Sequence, residues 1–217
     1  GALALLLGAQ KLGDAQILAV TLSTRNPYAA ACVNAITEYR GYKIPGGQTG
    51  VAVPFEDVPY FEKCYAKHVS ELYGKGDSKN EEPQDAVKLL RKTLCALADD
   101  EKATIVSIGP LTNLAELIKS GADDISPLDG KTLIERKVAV IGLMGGHFRE
   151  LGDPEVWFGT ELMEAECNIK TDPQSAKYFF ENCPVNAVVV PFCAGRDVLT
   201  GNVLIQNDRK DPAAECY

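Results

Sequence analysis

The spacing of apolar residues along the chain switches repeatedly between helical and extended periods. Residues 1–12 are apolar at helical spacing and predict a helix, and Gln16 to Ser23 (QILAVTLS) is a short apolar run that predicts a buried strand. Pro27 to Tyr39 predicts a second helix, with Pro27 in the first turn, where a missing N–H costs nothing. Residues 45–60 hold several Gly and Pro and predict a long loop. A helix is expected over Val58 to Tyr73 and a polar linker over Gly74 to Glu82. Another helix is expected over Pro83 to Ala98, apolar at Ala86, Leu89, Leu90, Leu94 and Leu97.

The second half repeats the alternation. Ala103 to Ile108 (ATIVSI) predicts a buried strand, broken by Gly109-Pro110 before a helix from Leu111 to Lys119. Lys137 to Leu143 (KVAVIGL) predicts a strand, and Asp172-Pro173 opens a helix to about Asn182, with Asp as N-cap and Pro at the first position. Val185 to Val190 is a last strand, and Asp197 to Leu204 starts a further helix. Helices alternating with short apolar strands predict an α/β fold: an open, mainly parallel, Rossmann-like sheet with helices on both faces, in one domain over residues 1–217.

Composition narrows the partners. A formal net charge of −8, with no basic run, argues against a nucleic-acid surface, which needs clustered Lys and Arg. The first apolar stretch, Ala2 to Ala9, is too short to span a bilayer, so no membrane partner is expected. It also lacks the Met and the basic flank of a signal peptide, although a leader upstream of Gly1 is not excluded. The seven cysteines include no CxxC pair, and most lie among apolar neighbours. They read as buried free thiols of a reducing compartment, which points to the cytoplasm.

Ligands of open parallel sheets bind beyond the carboxyl ends of the strands. That rule selects Thr24-Arg25-Asn26, Ile108-Gly109-Pro110, Met144-Gly145-Gly146-His147 and Phe192-Cys193-Ala194-Gly195. No dinucleotide fingerprint, Walker A loop, HExxH or GxSxG occurs: Gly142-Leu143-Met144-Gly145-Gly146 has the wrong spacing for the first.

Three segments then stand in order: Ile108-Gly109-Pro110-Leu111-Thr112-Asn113-Leu114-Ala115, Met144-Gly145-Gly146, and Ala165-Glu166-Cys167-Asn168-Ile169-Lys170-Thr171-Asp172-Pro173. Together they resemble the inosine/uridine-preferring nucleoside hydrolase family, whose members carry a GPLTN-type turn, an MGG turn and an E-x-N…D-P segment in this order. Val20 to Asn34 and Ile44-Pro45-Gly46-Gly47 fit the same pattern, so the resemblance covers nearly the whole chain.

The resemblance implies hydrolysis of the N-glycosidic bond of a small-molecule ribonucleoside to ribose and free base. It implies a calcium ion that positions the attacking water and the ribose hydroxyls. Glu166 and Asn168 match the ribose-binding pair; in an extended segment, residues two apart face one side, so both are expected to reach one sugar. Met144 matches a pocket residue of the MGG turn, and the backbone carbonyl of Ile108 matches a calcium ligand. At the family's ribose-side asparagine, which falls after the Gln16 to Ser23 strand here, Arg25 and Asn26 compete, and Asn26 is taken as the substrate residue. Asp172 reads as a helix cap, Thr112 and Asn113 as residues that tie their turn locally.

The same resemblance places the aspartate-rich calcium loop, with the general base, before Gly1 and a further metal-binding aspartate after Tyr217. Residues 1–217 then form an incomplete domain, expected to be inactive in isolation. The stretch Phe148 to Glu161, with Trp157 and Phe158, reads as an insertion that either lids the pocket or packs on the surface. Base preference is not implied. A homo-oligomer is compatible with this reading, and a non-catalytic riboside-binding or regulatory protein of the same fold is the alternative.

Overall fold

Among the described residues every strand pairing is parallel except one short antiparallel ribbon, as expected when helices connect successive strands. The computed structural model describes residues 1–51, 63–74, 83–146, 157–158, 161–162, 166–195 and 198–216. The chain divides into two units, one of residues 1–93 with 199–217 and one of residues 94–198.

In the first unit, β1 (Val20–Leu22), β2 (Gly46–Gln48) and β3 (Gln84–Asp85) form a parallel sheet in that order. Around it lie α1 (Ala2–Leu12), α2 (Ala29–Tyr39), α3 (Tyr65–Tyr73) and α4 (Ala86–Cys95). The expected strand over Gln16 to Ser23 shortens to Val20–Leu22. Before it, the Ile17 N–H is taken by the Gln10 side chain at 2.6 Å rather than by a neighbouring strand. The expected loop contains β2, which β propensity hides because the strand begins with two glycines. Gly47 is there for space: a Cβ on it would lie 3.0 Å from Leu89 Cδ2 and 3.1 Å from Ala86 Cα, so α4 packs directly on its backbone.

Leu7, Cys32, Ala35, Ile36, Ile44, Ala66, Val69 and Ala213 make the core of this unit. The segment holding α10 (Asn202–Asn207) and a 3-10 turn (Ala214–Cys216) folds onto α2 and α3. Arg40 pairs with Asp211, the Tyr39 hydroxyl donates to Asp208 at 3.1 Å, and His68 Nε2 sits 3.2 Å from Glu215. The helix expected from Asp197 starts later, at Asn202, and Arg196 and Asp197 lie outside the described residues.

In the second unit, β4 (Ala103–Ser107), β5 (Val138–Met144) and β8 (Ala187–Val190) form a parallel sheet with β5 central. Helix α5 (Thr112–Lys119) packs against α6 (Gly130–Lys137) and α8 (Pro173–Asn182). Most of α5 is buried, its apolar face of Leu114, Ala115, Leu117 and Ile118 together with Thr112 and Asn113. Helix α6 has no counterpart among the elements expected from sequence, because its polar run GKTLIERK shows only Leu133 and Ile134 to the core. It is held by a local signal, the Asp129 carboxylate accepting from Thr132 N–H at 2.7 Å.

The short helices α7 (Cys167–Thr171) and α9 (Phe192–Gly195) flank the end of β5. Of the Phe148–Glu161 insertion, the backbone pairing of β6 (Trp157–Phe158) with β7 (Glu161–Leu162) is described. The choice between lid and surface packing lies outside the described residues. The fold is α/β, with open parallel sheets flanked by helices.

Candidate functional site

β5 delivers Met144 to its carboxyl end, and the chain turns there through Gly145 and Gly146. Gly146 has φ of 79°, a left-handed conformation that glycine adopts without a Cβ clash. The Gly145 N–H donates to the Val190 carbonyl at 3.0 Å, which continues the β5–β8 ladder into the turn. The Phe192 N–H then donates to the Gly146 carbonyl at 3.3 Å. From the β8 side the turn is thus held by backbone hydrogen bonds.

From the other side it is held by Glu166. This side chain is 2% exposed, and its carboxylate accepts three backbone N–H groups. Oε1 takes Asn168 N–H at 2.8 Å, while Oε2 takes Ile169 N–H and Gly146 N–H, each at 3.1 Å. Glu166 thus serves as N-cap of α7 and ties that helix to the glycine turn. Three charge-assisted bonds offset the cost of burying a carboxylate.

The expectation of an extended segment is corrected here: Asn168 lies inside α7, so the pair is related by a helix start and not by strand alternation. Glutamate ranks below Ser, Thr, Asp and Asn at N-caps, so the local signal was weak. The two residues nevertheless converge. Asn168 Nδ2 donates to the Met144 carbonyl at 3.0 Å and approaches Met144 Sδ at 3.3 Å. No described residue donates to Asn168 Oδ1, and the side chain is half-buried.

Ile108 stands one residue beyond the Ser107↔Leu143 pair, beside the end of β5, with its side chain 59% exposed. Calcium takes six to eight oxygen ligands, several of them anionic. Among the described residues no group of three or more His, Cys, Asp or Glu could hold a metal ion. Among the described residues the donor offered at this strand end is one neutral carbonyl, and by itself it does not fit calcium.

Asn26, in the first unit, is 6% exposed, and both polar atoms of its side chain have protein partners. Oδ1 accepts Tyr28 N–H at 2.9 Å at the start of α2, and Nδ2 points to Cys64 Sγ at 3.3 Å. Gln48 Nε2 holds its backbone carbonyl at 2.9 Å. This is an Asx-turn with a thiol partner.

Asp172 caps α8 as expected, its Oδ1 accepting Ser175 N–H at 3.0 Å. Its second oxygen accepts the Thr112 hydroxyl at 2.7 Å, so Thr112 ties α5 to α8 across 60 residues rather than closing its own turn. Burial pushes the Asp172 carboxyl up, but Thr112, Ser175 and Lys119 outweigh it and hold it below the ordinary aspartate range. Asn113 also departs from expectation: both polar atoms of its buried side chain lack a partner among the described residues.

Comparison with known proteins adds an independent line. The family model described as inosine-uridine preferring nucleoside hydrolase matches residues 1–215. The pyrimidine-specific ribonucleoside hydrolase RihA of Escherichia coli strain SMS-3-5 / SECEC is 35% identical over 97 residues, 45% of this chain and 25% of the relative. RihA of E. coli O81 (strain ED1a) matches at the same identity and coverage. Among solved structures, the type III effector protein XopQ complexed with adenosine diphosphate ribose shares the fold. Its TM-score is 0.66 at 14% identity, over 99% of this chain and 60% of that one. The matched region thus spans about a quarter of the curated relatives and three fifths of the structural neighbour.

Proposed function

Because the chain belongs to the inosine-uridine preferring nucleoside hydrolase family, we propose that it supplies the ribose-holding wall of an N-glycosidase acting on small-molecule ribonucleosides. The observation that carries this reading is the convergence of Met144, Gly146, Glu166 and Asn168 at the carboxyl end of the central strand, where open parallel sheets bind ligands. Cleaving the N-glycosidic bond builds positive charge on the ribose. The Glu166 carboxylate, set rigidly by three N–H groups, places a fixed negative charge near that site without reorganising. Asn168, anchored through Nδ2, keeps Oδ1 without a donor among the described residues, as an acceptor for a ribose hydroxyl. Met144 gives the sugar an apolar contact.

Calcium belongs to this proposal only through the Ile108 carbonyl; anionic ligands would have to come from elsewhere than the described residues. The 217-residue chain is accordingly expected to show no rise in Tm with millimolar calcium relative to chelator. A calcium-dependent rise would mean that the 217-residue chain itself supplies anionic metal ligands.

A second reading, riboside binding without cleavage, is favoured by the lack of a metal-holding acidic cluster among the described residues. XopQ, which shares the fold, is complexed with adenosine diphosphate ribose, a ribose-bearing ligand. A reducing-sugar assay on the native protein, run with uridine, cytidine, inosine and adenosine beside equilibrium binding, separates the two. Ribose and base released in equal amounts support the hydrolase, with pyrimidine nucleosides tried first because RihA is pyrimidine-specific. Binding without release supports the second reading, and neither binding nor release overturns both. The cysteines support a reducing, cytoplasmic setting as free thiols, but of the seven only Cys32 is buried, and Cys95 and Cys167 are exposed, against the expectation of buried thiols.

A further inference from the structure

Helix α7 carries Asn168 but spans five residues, too few to hold its shape or its place alone. A carboxylate fixes each of its ends. Glu166 caps the start and ties it to the glycine turn, and Asp172 closes the far end. Asp172 belongs at the same time to α8: its Oδ1 accepts Ser175 N–H and its carbonyl accepts Ala176 N–H, each at 3.0 Å. Its Oδ2 takes the Thr112 hydroxyl at 2.7 Å, and both residues are buried, so water competes little for that bond. Thr112 opens α5, where the chain has just left the end of β4. The opposite end of the α5–α8 contact has its own tie, Lys119 Nζ lying 4.8 Å from the centre of the Tyr178 ring. The two helices thus run side by side in one direction, and Thr112–Asp172 is the tie at the strand-end side, where α7 stops.

We propose that Thr112 is a positioning residue for the ribose: through Asp172 it fixes the far end of α7 and so the place of Asn168 Oδ1. The inference rests on the reading above that Asn168 accepts a ribose hydroxyl. Without the Thr112 hydroxyl Asp172 still caps α8, since Ser175 binds its other oxygen, and Lys119 still holds α5 to α8. The fold therefore survives Thr112→Val, while the end of α7 loses its link to α5. Asn168 lies four residues before that end and keeps only its bonds to Met144 and the cap at Glu166. An acceptor displaced by about an ångström loses its alignment with the sugar, and a displacement of that size costs on the order of a hundredfold in rate. Thr112, buried and with its hydroxyl given to Asp172, acts without reaching the substrate.

The test is a double-mutant cycle on the native protein, with kcat/KM for ribose release and Kd for uridine measured well below the Tm of every variant. Thr112→Val should lower kcat/KM by about tenfold or more, and Thr112→Ser, which keeps the hydroxyl, should stay within about threefold of wild type. In an Asn168→Ala background Thr112→Val should cost less than about twofold more, because residues that act through one contact do not add. Where uridine is bound but not cleaved, the same pattern is read in Kd. An impaired Asn168→Ala beside an unaffected Thr112→Val overturns this inference alone. So does a full additional loss in the Asn168→Ala background, or a Thr112→Ser variant as impaired as Thr112→Val. Asn168→Ala with unchanged kcat/KM and Kd overturns the ribose-holding reading itself, and this inference with it, as does a native protein that neither binds nor cleaves ribosides.

Discussion

Two turns that follow parallel strands carry the polar side chains expected to hold a ribose, and they use those side chains differently. After β1, Asn26 spends its oxygen on Tyr28 N–H and its amide on a thiol. At the end of β5 the work is divided. Glu166 takes the backbone donors of α7 and of the glycine turn, while Asn168 is anchored by one end of its amide only. A side chain can serve a ligand when another residue has already satisfied the local backbone. The β5 end has that division of labour, and the β1 end does not.

The strongest way to break the comparison is to remove the residue that frees Asn168. Glu166→Ala leaves three N–H groups without their buried acceptor, so a loss on the order of 3 kcal/mol or more in a urea titration is expected. Glu166→Gln keeps one acceptor oxygen but turns an NH₂ toward backbone donors, and about 2 kcal/mol should be lost. Unchanged stability in both variants would mean that the carboxylate does not cap α7.

Next in size is the link between α5 and α8. The Asp172 carboxyl is held below its ordinary range. The stability it brings is therefore complete above the unfolded-state value of about 3.9 and is lost as pH falls through the lower folded value. Thr112→Val should cost about 1–2 kcal/mol near neutral pH and make the stability curve shallower below about pH 4. An identical acid slope in variant and wild type would show that Thr112 does not depress Asp172. Asn26→Ala should cost about 1 kcal/mol through the lost Asx-turn, with no change in riboside affinity. Lost affinity at full stability would move Asn26 back to the ligand.

How legible this was depended on the kind of signal. The strand over Val138–Met144 and the cap at Asp172 were readable because apolar runs and an Asp-Pro pair act locally. Strand β2 was not, since it opens on two glycines and Gly47 answers to the close approach of Leu89 and Ala86, residues about forty positions away. Helix α6 failed the periodicity test because two apolar residues suffice to anchor a polar helix. Glu166 and Asn168 are singled out by their ordered motif, yet the bond that joins Glu166 to the glycine turn depends on Gly146, twenty residues earlier. The Thr112–Asp172 bond is of the same long-range kind.

The smallest structural effect and the most direct test come from Asn168 itself. Asn168→Ala removes one hydrogen bond to the Met144 carbonyl at a half-buried position, so stability should change by no more than about 1 kcal/mol. In the native protein, kcat/KM for ribose release should nevertheless fall by roughly tenfold to a thousandfold, because an oriented acceptor for the ribose is gone. That loss at unchanged Tm is the result expected if the β5 end grips the sugar. An unchanged kcat/KM at unchanged Tm would contradict it and leave Asn168 a helix residue that only braces Met144.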